Sequence, residues 1–180
     1  TLAVQLDIPF GHPMLGPEER AAVAEVLDSP QLVHGPRASA FENDFAAFLG
    51  PDAYATSVSS CTSGLHLAYM SFGIGPGDEL VLPALTHVAT AHAVEITGAK
   101  PIFVDSDASG NIDVNAIGQV VNNRTRAICV VHYPGLPVDM VPVMRVAQDN
   151  GLRVIEDCAL ALGAYLDGTH CVLFGAVASF

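Results

Sequence analysis

The stretch Val154-Ile155-Glu156-Asp157-Cys158-Ala159 decides the fold, because an apolar strand pattern ends there and two carboxylates follow at once. In an open sheet of parallel strands, ligands bind at the carboxyl ends of the strands. A carboxylate in such a place is costly unless it has a partner. A protonated ring nitrogen of a bound cofactor would be a suitable partner for Asp157. The alternative is an acidic helix cap after a strand, which is common.

Length, composition and charge limit the class of protein. The 180 residues are 51% hydrophobic with a mean hydropathy of +0.41, which is enough for one domain, or a large part of one, with a sizeable core. There is no run of eighteen apolar residues and no basic, then apolar, N-terminal segment, so neither a transmembrane helix nor a signal peptide is expected. The net charge of −12 argues against nucleic acid and anionic membranes as partners.

The cysteines indicate the cellular compartment and argue against a metal site. The four cysteines (Cys61, Cys129, Cys158 and Cys171) have no metal-ligand spacing and lie among apolar or small residues. They are therefore expected to be reduced thiols in a cytoplasmic protein, and no metal site is predicted.

Strand and helix patterns alternate from residue 54 onward. Such an alternation predicts βαβ units and a mainly parallel sheet with helices on both faces, which is a three-layer α/β/α fold. Upstream, two helices are predicted, the first opened by Gly16-Pro17 and the second spanning 38–49. The predicted strands of the alternating region are 54–59, 79–82, 101–104, 127–132 and 152–155, and its predicted helices are 62–72, 86–97, 113–121 and 138–150.

The segment Ser59-Ser60-Cys61-Thr62-Ser63-Gly64 lies between a predicted strand and a predicted helix. Backbone N–H groups and hydroxyls of such a turn can point at an anion, with the helix dipole behind them, and phosphate is the natural guest. The alternative is an ordinary serine or threonine cap, worth about 1 kcal/mol. The segment is neither a GxGxxG fingerprint nor a Walker loop, which disfavours dinucleotides and nucleoside triphosphates.

Two histidines lie at or just after the carboxyl ends of other predicted strands. His87 would lie in the first turn of a helix, where it could stack on a planar ring or act as a base; otherwise it is a surface histidine. His132 ends its strand at the same carboxyl edge of the predicted sheet and could be a third polar residue of the site. The alternative is a hydrogen-bonded histidine at the start of a loop. The phosphate cradle (59–64), the candidate ring-stacking residue His87 and the candidate ring-nitrogen partner Asp157 form the set that a pyridoxal phosphate site requires.

Several longer stretches of the sequence match the pattern of a known protein family. The sequence resembles the DegT-type (DegT/DnrJ/EryC/StrS) family of pyridoxal-phosphate-dependent sugar aminotransferases over nearly its whole length. The resemblance implies the N-terminal part of an aspartate-aminotransferase-like large domain (PLP fold type I), incomplete at its C-terminus. Residues 1–50 would be a helical segment packing on this domain, and 51–180 would belong to it. The matching stretches include Thr62–Ala68, Gly73–Glu79, Thr97–Asp105 and Val154–Asp157.

The resemblance also implies roles for single residues. Thr62 and Ser63 would hold the cofactor phosphate, largely through backbone N–H groups, and His87 would stack on the pyridine ring. Asp157 would pair with the pyridinium nitrogen and make the ring an electron sink. The family's Schiff-base lysine would lie shortly beyond Phe180. Lys100, the one lysine of the sequence, is predicted near the opposite edge of the sheet and is not that lysine.

The implied function is transfer of an amino group from an amino acid, expected to be glutamate, to a keto-sugar nucleotide by a homodimeric enzyme. Without the lysine, residues 1–180 alone would be inactive. One alternative is a pyridoxal-phosphate-dependent sugar dehydratase with histidine in place of the lysine. Another is a non-catalytic or regulatory member or fragment. Leu160, Leu162 and the absent lysine motivate the latter, because the family often has glutamine or histidine at position 160 and histidine at position 162.

Overall fold

A computed structural model describes residues 12–180 and divides the chain into two compact units, one ending at Ser57 and one spanning Val58–Phe180. The first unit contains helices α1 (Pro17–Leu27) and α2 (Pro36–Leu49), each starting with a proline after a glycine. This start was predicted for α1, whereas α2 begins two residues before the predicted 38–49. Proline is favoured there because the first helical N–H has no partner to lose. The start of the predicted N-terminal segment, residues 1–11, lies outside the described residues. The packing of this segment on the second unit stays a prediction.

The second unit is built on one parallel sheet. Its five strands run in the order β2-β1-β3-β4-β7, and all four neighbouring pairs are parallel. Strands β5 and β6 form a separate antiparallel pair. The predicted α/β class with a mainly parallel sheet is confirmed. The strands are β1 (Glu79–Pro83), β2 (Lys100–Val104), β3 (Thr125–Val131), β4 (Arg153–Asp157), β5 (Tyr165–Leu166), β6 (Thr169–His170) and β7 (Val177–Ser179).

Helices cover both faces of the sheet, because successive strand residues point to opposite sides. On one face, Leu80 and Leu82 of β1 pack with Tyr69 and Val94. On the other face, Val81 of the same strand belongs to a second buried cluster. The helices of the first face are α3 (Cys61–Ser71) and α4 (Val88–Ile96), and those of the second are α5 (Val114–Val120) and α6 (Met140–Asn150).

One predicted strand is wrong. Residues 54–59 form no strand, although their composition favours one. Tyr54 is almost fully exposed, and the backbone N–H and hydroxyl of Ser57 both donate to Glu42 rather than to a neighbouring strand. Among residues 12–180, no helix combines the length and the apolar character that crossing a membrane requires.

Parallel pairing brings the carboxyl ends of the strands to one edge of the sheet. His87 follows β1, Asp157 ends β4 and Ser179 ends β7. The chain leaves β1 toward β2 and leaves β3 toward β4, which lie on opposite sides of the β1–β3 pair. A reversal of this kind opens the crevice in which α/β proteins bind ligands.

Candidate active site

The first turn of α3 forms the predicted anion cradle. Ser60 caps the helix, and its hydroxyl accepts a hydrogen bond from the Ser63 N–H at 3.2 Å. The Ser63 hydroxyl lies 3.0 Å from the hydroxyls of both Ser59 and Ser60. The N–H groups of Cys61 and Thr62 belong to the helix start, where no intrahelical acceptor exists. These groups, together with the positive end of the helix dipole, can receive a phosphate.

Asp157 lies beside this turn. It is 6% exposed, and its Oδ2 accepts a hydrogen bond of 2.7 Å from the Thr90 hydroxyl. Its Oδ1 accepts one of 3.2 Å from the Ala159 N–H and lies 3.6 Å from the Cys61 sulfur. Within residues 12–180, no basic side chain forms an ion pair with Asp157. The carboxylate is therefore held by neutral donors and can take a cationic partner from a ligand.

Cys61 is the thiol of this site. Burial raises the pKa of Cys61 to about 11, and the nearby charge of Asp157 adds to the effect. At neutral pH the group is therefore a thiol whose proton points to the carboxylate. Cys61 acts as a further weak donor to Asp157 and is not a thiolate nucleophile.

His87 is the N-cap of α4. Its Nδ1 accepts a hydrogen bond of 3.2 Å from the Ala89 N–H, so the proton of the neutral ring is on Nε2. The side chain is exposed at the carboxyl edge of the sheet. The structure thus gives His87 a capping role, and stacking on a cofactor ring stays a prediction.

His132 does not face the rim, and the alternative of a hydrogen-bonded histidine at a loop start is correct. The side chain is fully buried, with Nδ1 accepting from the Val138 N–H at 3.0 Å and Nε2 lying 3.0 Å from Glu156 Oε2. The other carboxylate oxygen of Glu156 accepts the N–H groups of Phe174 and Gly175. His132, Glu156 and Cys158 come within 4.8 Å of one another, but these hydrogen bonds already occupy the imidazole and the carboxylate.

The structure adds two residues to those predicted. Ser179 pairs with Asp157 across β4 and β7, and its hydroxyl donates to the Cys61 carbonyl at 3.0 Å. Thr90 lies three residues after His87, the N-cap of α4, and its N–H donates to the His87 carbonyl at 3.2 Å. That spacing is the one signal by which the sequence could have indicated Thr90.

The structure also places Lys100, Leu160 and Leu162, for which the sequence makes predictions. Lys100 begins β2 and pairs in register with Glu79, so it lies at the amino end of the sheet, opposite Asp157. Leu160 and Leu162 are 60% and 61% exposed, and neither side chain can hydrogen-bond to a ligand.

A parallel sheet with an anion-receiving helix start and a buried carboxylate at its carboxyl edge has the features of a pyridoxal-phosphate-binding domain. The chain belongs to the DegT/DnrJ/EryC1/StrS aminotransferase family, whose model matches residues 13–180. This confirms the resemblance seen in the sequence. Members of the family are pyridoxal-phosphate-dependent aminotransferases.

Solved structures of aminotransferases are similar to this chain. The chain is 40% identical to the aminotransferase TlmJ from Streptoalloteichus hindustanus, with a TM-score of 0.84, covering 92% of this chain and 46% of that one. It is 38% identical to S. venezuelae DesV in complex with a ketimine intermediate, with a TM-score of 0.83 and coverages of 86% and 42%. It is 32% identical to Helicobacter pylori PseC, an aminotransferase involved in the biosynthesis of pseudoaminic acid, with a TM-score of 0.88 and coverages of 96% and 47%. The chain spans a little under half the length of these proteins.

Proposed function

We propose that the whole protein is a pyridoxal-phosphate-dependent aminotransferase that moves an amino group from glutamate to a keto-sugar nucleotide. The observation that carries the proposal is the buried Asp157 carboxylate beside the first turn of α3, 3.6 Å from the Cys61 sulfur. The likeness to PseC, which acts in the biosynthesis of pseudoaminic acid, supports a sugar as the amino acceptor.

The donors of the site fit this cofactor. The first turn of α3 offers N–H groups and hydroxyls to a phosphate, and Asp157 offers an unpaired negative charge to a ring nitrogen. When bound, pyridoxal phosphate supplies an electron sink that stabilises the carbanion left when the substrate Cα loses its proton.

Each residue then has a distinct role. Thr62 and Ser63 would bind the phosphate, and His87 would pack against the ring. Asp157 would accept the hydrogen bond of the ring N–H and favour its protonated form. The covalent lysine has to come from outside residues 1–180, because Lys100 lies at the other end of the sheet.

We also propose a homodimer, by analogy with other enzymes of this fold, in which two subunits build each active site. Sedimentation of the full-length protein at micromolar concentration would contradict this if it gave an active monomer.

The function is tested on the full-length protein by adding pyridoxal phosphate, recording its absorbance, and then adding excess glutamate. We expect cofactor uptake and conversion to pyridoxamine phosphate. Asp157→Asn keeps the shape but removes the charge, so this half-reaction should slow at least about a hundredfold, or about 2.7 kcal/mol in barrier. Asp139→Asn is the matched control, because Asp139 only caps α6.

Two results would count against the proposal. If Asp157→Asn stays within about threefold of wild type, less than 1 kcal/mol in barrier, Asp157 is only a cap. If the wild type takes up no cofactor and transfers no amino group, the protein is a non-catalytic member of the family.

A further inference from the structure

We propose that Thr90 is a positioning residue that holds the Asp157 carboxylate in the orientation needed to meet a cofactor ring nitrogen. This inference rests on the proposed function. Thr90 is fully buried, and its hydroxyl lies 2.7 Å from Asp157 Oδ2. The two residues are 67 positions apart in the sequence, so the contact joins α4 to the end of β4.

The direction of this hydrogen bond is fixed. An ionised carboxylate can only accept, so the Thr90 hydroxyl donates its single proton to Asp157. The Thr86 hydroxyl lies 2.9 Å from that of Thr90. Since the proton of Thr90 is already committed, Thr86 must be the donor of this second bond. The result is a one-way chain from Thr86 through Thr90 to Asp157, ending in a charge-assisted bond, which is stronger than a neutral one.

This chain of hydrogen bonds holds Oδ2 of Asp157, whereas Oδ1 faces α3. The Ala159 N–H and the Cys61 thiol both meet Oδ1, whereas Thr90 alone among these donors meets Oδ2. Without Thr90, the side chain would be held at one oxygen only and could rotate about its last bond. Functional groups must be held by their neighbours to within a small angle of the productive geometry.

Helix α4 also connects Thr90 to its N-cap residue His87, whose carbonyl accepts the Thr90 N–H at 3.2 Å. The first turn of α4 therefore contains both the residue proposed to pack on the ring and the residue that would orient the Asp157 carboxylate toward the ring nitrogen. A change at Thr90 should consequently alter cofactor binding through Asp157, beyond any effect on stability.

The test uses pyridoxamine phosphate, which forms no covalent bond with a lysine, so that its dissociation constant reports the non-covalent site. Thr90→Val replaces the hydroxyl by a methyl of similar size and leaves Oδ2 without its buried donor; we expect binding to weaken by about tenfold. Thr90→Ser keeps the hydroxyl and should stay within about threefold of wild type. The matched control is Thr97→Val, since Thr97 ends the same helix and donates to the Val94 carbonyl.

A mutant cycle separates positioning from general damage. In an Asp157→Ala background, Thr90→Val should change the dissociation constant by less than about twofold, because it acts through Asp157. Thr86→Val leaves Thr90 in place and should weaken binding by about threefold, which keeps the inference testable if Thr90→Val does not fold.

The outcomes are distinguishable. A wild-type protein that does not bind pyridoxamine phosphate would overturn the proposed function and this inference together. If the wild type binds but Thr90→Val binds equally well, only the role of Thr90 is overturned. The same holds if Thr90→Val weakens binding as much in the Asp157→Ala background as in wild type.

Discussion

The neighbouring carboxylates Glu156 and Asp157 have different tasks, and their hydrogen bonds show why. Asp157 points to the carboxyl edge with no cationic protein partner among the described residues. Glu156 points into the protein, where it is fully buried and receives His132 and the N–H groups of Phe174 and Gly175. It thereby ties the loop after β3 to the loop that leads into β7 and to Ser179.

The tautomer of His132 makes Glu156 sensitive to a substitution that is normally mild. Nδ1 accepts from the Val138 N–H, so Nε2 carries the proton and must meet an acceptor. In Glu156→Gln, whichever way the amide is turned, its NH₂ group faces either this Nε2–H or the two backbone N–H groups. We expect a loss of about 2–3 kcal/mol in the free energy of unfolding, measured by urea denaturation.

Glu42→Gln is the matched control for this prediction. One oxygen of Glu42 accepts both hydrogen bonds from Ser57, and the residue is only partly buried, so an amide can keep that oxygen in place. Its cost should stay below about 1 kcal/mol. Equal costs for the two substitutions would show that the proton on Nε2 of His132 does not constrain Glu156.

At the level of elements, the site depends on the close approach of α3 and β7. A Cβ added to Gly64 would lie 2.3 Å from the Ser179 hydroxyl oxygen and 3.2 Å from the Ser179 Cβ. The Ser179 hydroxyl cannot swing away without losing its bond to the Cys61 carbonyl. Gly64 is thus the residue that lets the helix start lie against the strand that carries Ser179.

Gly64→Ala should therefore destabilise the protein by about 1–3 kcal/mol in urea denaturation, even though alanine is the better helix former. In a Ser179→Ala background the hydroxyl is gone, and the cost should fall below about 1 kcal/mol. Gly118→Ala, in α5 with no atom within 4 Å of the added Cβ, should instead stabilise by about 0.5–1 kcal/mol. The prediction fails if Gly64→Ala behaves like Gly118→Ala.

The elements also show what the sequence can and cannot predict. Buried apolar runs and helical periodicity predicted β1, β3, β4 and α3 because these patterns act locally. Residues 54–59 have strand composition, but no strand among residues 12–180 pairs with them, so the pattern was misleading. Strand β7 has only three residues and follows a turn-rich loop, so its register could not be fixed in advance. The contact of Thr90 with Asp157 depends on pairing between distant strands, which no local pattern encodes.

For the molecule as a whole, hydrogen-bonded carboxylates contribute to the acid limit of stability. The pKa of Glu79 is lowered by its hydrogen bond from Asn122 and by Arg124, and that of Asp107 is lowered by its hydrogen bonds from Ser109. Their ordinary values are 4.5 and 3.8. Because the unfolded chain binds protons more readily at these groups, their contribution is complete above those values and is lost as the pH falls further.

Buried thiols contribute to the alkaline limit of stability. Burial raises the pKa of both Cys61 and Cys171 from 9.0 to about 11, and it also raises the pKa of Cys129 and of Cys158. Above pH 9 the unfolded chain loses thiol protons that the folded protein retains. The stability that these groups contribute is therefore complete below pH 9 and is lost as the pH rises toward 11.

The thermal midpoint of the full-length apoprotein should consequently form a plateau between about pH 5 and pH 8 and fall on both sides. Differential scanning calorimetry at intervals from pH 3 to pH 11 measures this profile. Glu79→Gln should make the acid fall less steep, and Cys171→Ala should do the same on the alkaline side, because each removes one shifted group. Each substitution should leave the opposite limb unchanged, so the two variants serve as controls for each other. A midpoint that stays constant from pH 9 to pH 11 would show that the thiols titrate alike in the folded and unfolded states.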